Sequence, residues 1–146
     1  MTDVTGFGLA GHALEMARGG RCTVEINWNQ VPLLDGVRQL ADAGHITGAS
    51  GRNWSACANE VRLPENFGLV NQSLLTDPQT SGGLLVSCAP ESVTAVLAIF
   101  WQLGFENACE IGQITAHCSD ANLVLRTAPT GVSQEARYSV PGFRSI

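Results

Sequence analysis

Two glycine-rich turns, at 6–11 and at 82–83, each stand immediately before an apolar stretch, and they divide the chain into segments that can be helix and segments that can be strand. Past the first turn, Leu9, Ala13, Met16 and Ala17 recur at helical spacing, and Gly19-Gly20 supplies a stop; the pattern predicts a helix entered through glycine. From Cys22 to Ile26 the period changes. Cys22, Val24 and Ile26 alternate with Thr23 and Glu25, as in a half-exposed strand. Asp35 is a candidate N-cap for a short helical stripe of Val37, Leu40 and Ala41 that ends at Gly44. Between His45 and Thr80, glycines and prolines interrupt weak helical patterns, so one or two short helices and functional loops are expected.

Past the second turn, Leu84 to Cys88 reads as a continuous apolar strand. Pro90 then opens a helix in which Val93, Val96, Leu97 and Phe100 form one stripe and Gly104 is the C-cap. Two further strands, 108–117 and 122–126, are joined by the polar stretch from Cys118 to Ala121 and read as a hairpin. Strands and helices therefore alternate, and the expected fold class is an α/β (α+β) sandwich, a mixed sheet with helices packed on it. One domain is expected over 1–126, with 127–146 an extended or mobile tail.

The 146 residues suffice to bury one ordinary core. Eight basic against thirteen acidic residues give a net charge of −5, the wrong sign for a nucleic-acid or anionic-membrane binder. Neither partner is expected. All the basic residues are arginine, which excludes a Walker-type lysine, a Schiff-base lysine and a lysine general base. The longest apolar run, 95–101, is far short of the roughly 20 residues that span a bilayer. The N-terminus has no basic residue before Arg18, and the five cysteines are odd in number and widely spaced. A cytoplasmic protein with free thiols is the expectation.

Chemistry concentrates in three clusters. In the segment Thr2-Asp3-Val4-Thr5-Gly6-Phe7-Gly8-Leu9-Ala10-Gly11-His12, the glycines fit GxGxxG, and Glu25 stands where a dinucleotide site places its ribose-binding acid. A dinucleotide fold, however, needs a hydrophobic strand running into Gly6, and only 1–5 precede it. A more general reading has Thr5, Gly6 and Gly8 presenting backbone amides to a phosphate at a helix start, with Asp3 holding the accompanying metal. Equally compatible with the pattern, the glycines only turn the chain and Asp3 caps the helix. The second cluster, Asp77-Pro78-Gln79-Thr80-Ser81-Gly82-Gly83, reads by itself as a turn with an Asx-type bond from Asp77. In the third, Gly51-Arg52-Asn53, Arg52 is the candidate anion contact, though a solvated surface arginine is the commoner outcome. His12, His45 and His117 are dispersed and read as surface or capping residues. No GxSxG elbow supports a nucleophilic hydrolase, and no catalytic residue is assigned.

Taken as a pair, the first two clusters carry a resemblance that neither has alone. The segment from Thr2 to His12, followed by Leu-Leu-Thr-Asp-Pro-Gln-Thr-Ser-Gly-Gly-Leu-Leu-Val at 74–86, resembles selenophosphate synthetase, or selenide, water dikinase. Arg52-Asn53 and Glu110-Ile111-Gly112 also stand where that family has similar residues, so the resemblance runs from Thr2 to Arg126. Aminoimidazole ribonucleotide synthetase and the hydrogenase-maturation dehydratase, of the same superfamily, resemble the chain less well, and the implied fold is the C-terminal domain of that superfamily. The resemblance implies an enzyme that converts selenide, ATP and water to selenophosphate, AMP and orthophosphate. In that family an N-terminal domain carries the reactive cysteine or selenocysteine, its lysine, most metal-binding aspartates and the main dimer interface. The C-terminal domain closes the nucleotide site and adds one aspartate to the Mg²⁺ cluster, which by this match is Asp3.

The N-terminal half of the family has no counterpart here, and Met1 falls inside a motif, as in a cloned fragment or truncated gene. The chain is therefore expected to be inactive alone, to bind neither Mg²⁺ nor ATP tightly, and to need an N-terminal catalytic domain or a homo-oligomer partner. The alternative is an orphan fragment acting as a protein-interaction or ligand-binding module. Thiol titration of the denatured, non-reduced protein should recover all five cysteines. A reproducible deficit of two or four would show a disulfide framework.

Overall fold

Cys22–Asn27 (β2) is the central strand, paired along both of its edges. The computed structural model describes residues 1–117, 120–127 and 144–145. β2 pairs antiparallel with Gly112–Ala116 (β5), from Cys22↔Ala116 to Ile26↔Gly112, and parallel with Leu123–Arg126 (β6), from Val24↔Leu123 to Asn27↔Arg126. Val61–Arg62 (β3) adds to β6 in parallel and Arg144–Ser145 (β7) to β5 antiparallel, completing a five-stranded mixed sheet in the order β3-β6-β2-β5-β7. Its central place alters the expected exposure of β2. Thr23, on the face read as polar, is 1% exposed and donates its hydroxyl proton to Ala121 O at 3.1 Å.

Gly8–Gly20 (α1) lies on this sheet. Its buried Leu9, Ala10, Ala13, Leu14 and Ala17 pack in one cluster with Val24, Ile26, Leu123 and Leu125. Small alanines let the helix approach the strands closely, and each buried Leu or Ile contributes about 1.5–3 kcal/mol. The glycines at its end remain helical. Termination falls one residue later, at Arg21, which takes the left-handed conformation (φ 49°, ψ 49°) and donates its N–H to Ala17 O and Arg18 O. Beside α1 stand Gly48–Cys57 (α3), capped by Thr47, whose side chain accepts from Ser50 N–H, and Leu69–Leu75 (α4). The remaining helices are Val37–Asp42 (α2) and Val93–Gln102 (α5). Asp35 does not cap α2; Gly36 occupies that position at φ 81°, a conformation open to glycine, without a side-chain bond.

Other expectations are corrected by pairing. β5 and β6 do not form a hairpin, because β2 lies between them. The apolar run after Gly83 forms a strand only at Leu84–Leu85 (β4), which pairs antiparallel with Thr2–Asp3 (β1) outside the main sheet. Its partner limits it: Val4 N–H bonds Gly83 O at 2.9 Å, and the chain then turns away through Gly6. α5 begins after a 3₁₀ turn at Pro90–Ser92 and ends where Gly104 takes φ 89°. Although the most apolar helix, it buries no residue; Val93, Leu97 and Phe100 instead line a half-open cavity of about 810 Å³ shared with Val4, Leu9 and Ile111.

Of the expected tail, Thr127 and β7 are described; 128–143 and 146, like Cys118 and Ser119 of the expected turn, lie outside the described residues. Cys57, Cys88 and Cys109 are free thiols. Among the described residues no helix is long and apolar enough to cross a membrane.

Two glycines test this packing in opposite directions. A Cβ on Gly112 would overlap the Glu25 carbonyl across the β2–β5 ladder, whereas one on Gly51, inside α3, meets nothing within 4 Å. Gly112→Ala should cost about 1–3 kcal/mol by overpacking against backbone. Gly51→Ala should stabilise by about 0.5–1 kcal/mol. Urea denaturation of both variants checks the pair.

Candidate functional site

The turn that enters α1 is held against the segment following α4 by backbone lying directly on backbone. Gly8 sits at φ +68°, and a Cβ there would stand 2.6 Å from Thr76 C and 2.9 Å from Asp77 O. Glycine is thus required twice, by conformation and by contact. Thr5 O accepts from Gly8 N–H at 3.1 Å and from Gln79 N–H at 3.0 Å. Gly82 closes the other end, because a Cβ on it would overlap the Val4 carbonyl.

Side chains of α3 join these segments. Asn53 Nδ2 donates to Gly6 O at 2.9 Å and to Thr76 O at 3.0 Å, so one amide bridges both motifs. Ser50, buried, donates to Ser73 O at 2.7 Å and lies 2.8 Å from Thr76 Oγ1. Asp77 does not make the expected Asx-type turn; its Oδ1 accepts from the Thr47 hydroxyl at 2.8 Å. The three clusters are therefore assembled into one place.

Asp3 does not cap α1. It lies in β1, exposed and opposite Leu84, and its carboxylate has no hydrogen-bond or ion-pair partner among the described residues. The residue at the N-cap position is Phe7, without a side-chain bond. Gly6 and Phe7 are exposed, and their N–H groups have no acceptor among the described residues. Thr5 differs from its expected role: its N–H donates to His12 Nε2 at 3.0 Å, and its hydroxyl lies 3.2 Å from the same nitrogen. Arg52 is exposed on α3 beside Asn53, with no ion-pair partner among the described residues.

The sequence put Asn53 in the third cluster without a role of its own and read His12 as a surface or capping residue; only their partners reveal what each does. His12 is 6% exposed, neither a surface residue nor a cap, whereas His45 and His117 are exposed.

The donor set offers Asp3 as a carboxylate that could take part in holding a cation. Among the described residues no group of three or more His, Cys, Asp or Glu side chains could enclose a cation. Asp77 is engaged by Thr47, which leaves Asp3 as the bare carboxylate of the turn. Mg²⁺ is commonly held by one or two carboxylates, with substrate phosphates and waters completing its shell. Burial pushes the thiols of Cys57, Cys88 and Cys109 up, so none of them is an activated thiolate.

The dinucleotide reading loses its acid. Glu25 accepts from Arg126 Nε and Nη2, both at 3.0 Å, and from Gln113, so its carboxylate braces the sheet. Moreover β1 belongs to the small two-stranded sheet and not to the main one.

The family model described as AIR synthase related protein, C-terminal domain, matches residues 1–122. "Selenide, water dikinase" of Burkholderia pseudomallei is 56% identical over 114 residues, 78% of this chain and 32% of that protein. The protein of the same name from Pseudomonas straminea is 50% identical over 116 residues (80% and 32%), and that of Rhizobium meliloti 42% over 124 (85% and 36%). The chain spans about a third of the length of these relatives.

The Arg126 hydrogen bond holds the Glu25 carboxyl below the usual range, against the opposing effect of partial burial. A depressed folded-state pKa contributes stability that is present above the unfolded value, about 4.3, and lost as pH falls through the folded one. Acid titration of stability should therefore show a loss below about pH 4 that is reduced in Glu25→Gln. An unchanged acid limb would mean that the ion pair is too solvated to matter.

Proposed function

The chain belongs to the AIR synthase related protein family as its C-terminal domain, and from that premise we propose that it serves as the C-terminal part of a selenide, water dikinase. The observation that carries this reading is that the Asp3 carboxylate and the Gly6 and Phe7 amides have no partner among the described residues, on a turn fixed by Gly8, Gln79 and Asn53. Phosphoryl transfer depends on positioning and on charge placed around the phosphates. A turn offering one anionic oxygen and N–H groups without an acceptor among the described residues supplies a part of each.

In this reading Asp3 gives a carboxylate oxygen to Mg²⁺, and the Gly6 and Phe7 amides donate to a phosphate oxygen. Arg52 adds a cation from α3. Thr5 and Gly8 act on the site indirectly, the first through its bonds to His12 and the second through its contact with Thr76. Mg²⁺, when bound, offsets the phosphate charge and polarises the transferred group. The proposed overall change is selenide, ATP and water to selenophosphate, AMP and orthophosphate. One carboxylate and one arginine are too little for this alone, so the nucleophile-bearing N-terminal part must come from the same longer protein or from a partner. The setting is proposed to be cytoplasmic.

A second reading, a protein-interaction module, has one observation in its favour. Ile99, Trp101, Leu103 and Phe105 are 48–69% exposed at and just beyond α5, more apolar surface in one stretch than a soluble helix usually shows.

The test is reconstitution with the N-terminal part of a selenide, water dikinase. The chain alone should form no AMP from ATP and selenide. Calorimetric titration of the pair with Mg²⁺ and a non-hydrolysable ATP analogue should show binding that Asp3→Asn weakens at least about tenfold, since even residues behind a metal ligand typically matter that much. Equal affinity with equal thermal stability would remove Asp3 from the metal site.

A further inference from the structure

His12 is buried, polar and engaged on both ring nitrogens, yet nothing in the assembly of the core requires an imidazole there. Its Nε2 lies 3.0 Å from Thr5 N, and a backbone N–H can only donate. Nε2 is therefore the acceptor, and the neutral ring carries its proton on Nδ1. Nδ1 points to Thr2 Oγ1 at 3.2 Å and to Glu15 Oε2 at 3.4 Å, one turn further along α1. The Thr2 hydroxyl in turn donates to Asp3 O at 3.4 Å. One ring thus grips the residue before Asp3 and the second residue after it, from a helix anchored in the main core.

We infer that His12 is a positioning residue for Asp3: its imidazole, accepting from Thr5 N–H and donating to Thr2, fixes the β1 backbone so that the bare carboxylate meets a divalent cation in one preset orientation. The inference rests on the reading of Asp3 as a metal ligand. It differs from a plain packing role in what it asks of the side chain. Packing needs only a ring of this volume, beside Phe7 at a centroid distance of 6.0 Å. Positioning needs an acceptor at the place of Nε2. Phenylalanine satisfies the first alone, while glutamine can supply an amide oxygen to Thr5 N–H.

The experiment uses Mn²⁺ as the probe on the full chain, read by paramagnetic broadening of backbone amide resonances, in wild type, Asp3→Asn, His12→Phe and His12→Gln. Wild type should show saturable broadening centred on residues 2–7, and Asp3→Asn should lose it. His12→Phe should need about tenfold more Mn²⁺ while melting near the wild-type temperature, in line with the usual effect of removing a group behind a metal ligand. His12→Gln should recover most of the loss. Wild-type Mn²⁺ response in His12→Phe, with Asp3→Asn silent, overturns the positioning role and leaves Asp3 standing. Asp3→Asn responding like wild type, or wild type without localised broadening, overturns the Asp3 reading and the inference with it. Should His12→Phe fail to fold, the glutamine variant and the ring ¹⁵N pattern of wild type decide: an Nε2-protonated tautomer, or His12→Gln as weak as Asp3→Asn, rejects the role.

Discussion

Backbone packed directly on backbone, at Gly8 against Thr76 and Asp77 and at Gly82 against Val4, is the constraint from which the rest of the site follows. Side chains cannot intervene at either contact, so the two segments meet at hydrogen-bonding distance, and Thr5 O, Gln79 N–H, Val4 N–H and Gly83 O find one another. Asn53, Ser50 and Thr76 then satisfy the polar groups that this approach buries. Because α1 continues straight from the turn into the core beneath β2, displacing the turn would disturb the docking of Leu9, Ala13 and Leu14. The site inherits its rigidity from that continuity.

How far these features could be read from residues alone depended on whether the cause was local. The stripe of α1 and the alternation of β2 are imposed by one period each, and both elements lie where the pattern puts them. Strand neighbours are not local. An apolar alternation says nothing about which strand lies alongside, so β5 and β6 read as a hairpin although β2 separates them. Within the site, glycine spacing exposed Gly8, and the motif pair exposed Asp3. The roles of His12 and Asn53 stayed hidden because they lie in the carbonyls and amides these side chains reach, 7 and 47 residues away for Thr5 and Gly6.

Charge is distributed in a way that suits a contributor to a shared site. Arg18, Arg62 and Arg126 are committed to Glu60, Asp120 and Glu25, and Arg38 to Asp42, all of them ties between or within structural elements. These pairs are partly solvated and add little stability singly. Their greater consequence is subtraction: the chain has no lysine, and among the described residues Arg21 and Arg52 stand outside these ion pairs. A triphosphate brings several negative charges, and compensating them takes more than this face provides. A complementary cationic surface is what the proposed reading demands of the other part.

The polar clamp on β1 also has a mechanical reason. Close packing normally immobilises a strand, but β1 and β4 pair only over Thr2–Asp3 and Leu84–Leu85, and the cavity of about 810 Å³ opens beside them, lined by Val4, Leu84 and Leu85. Leu84, the residue opposite Asp3, is 52% exposed and presses on little. Dispersion contacts fall away across such a gap, so apolar neighbours cannot hold the strand from that side. Hydrogen bonds have a definite length and direction, and they come from the side that is solid: His12 from α1, Gln79 from the second motif and Asn53 from α3. On the proposed reading, a carboxylate kept bare for a cation cannot be fixed through its own oxygens. It is fixed through the backbone on either side of it, which is where this structure places its polar contacts.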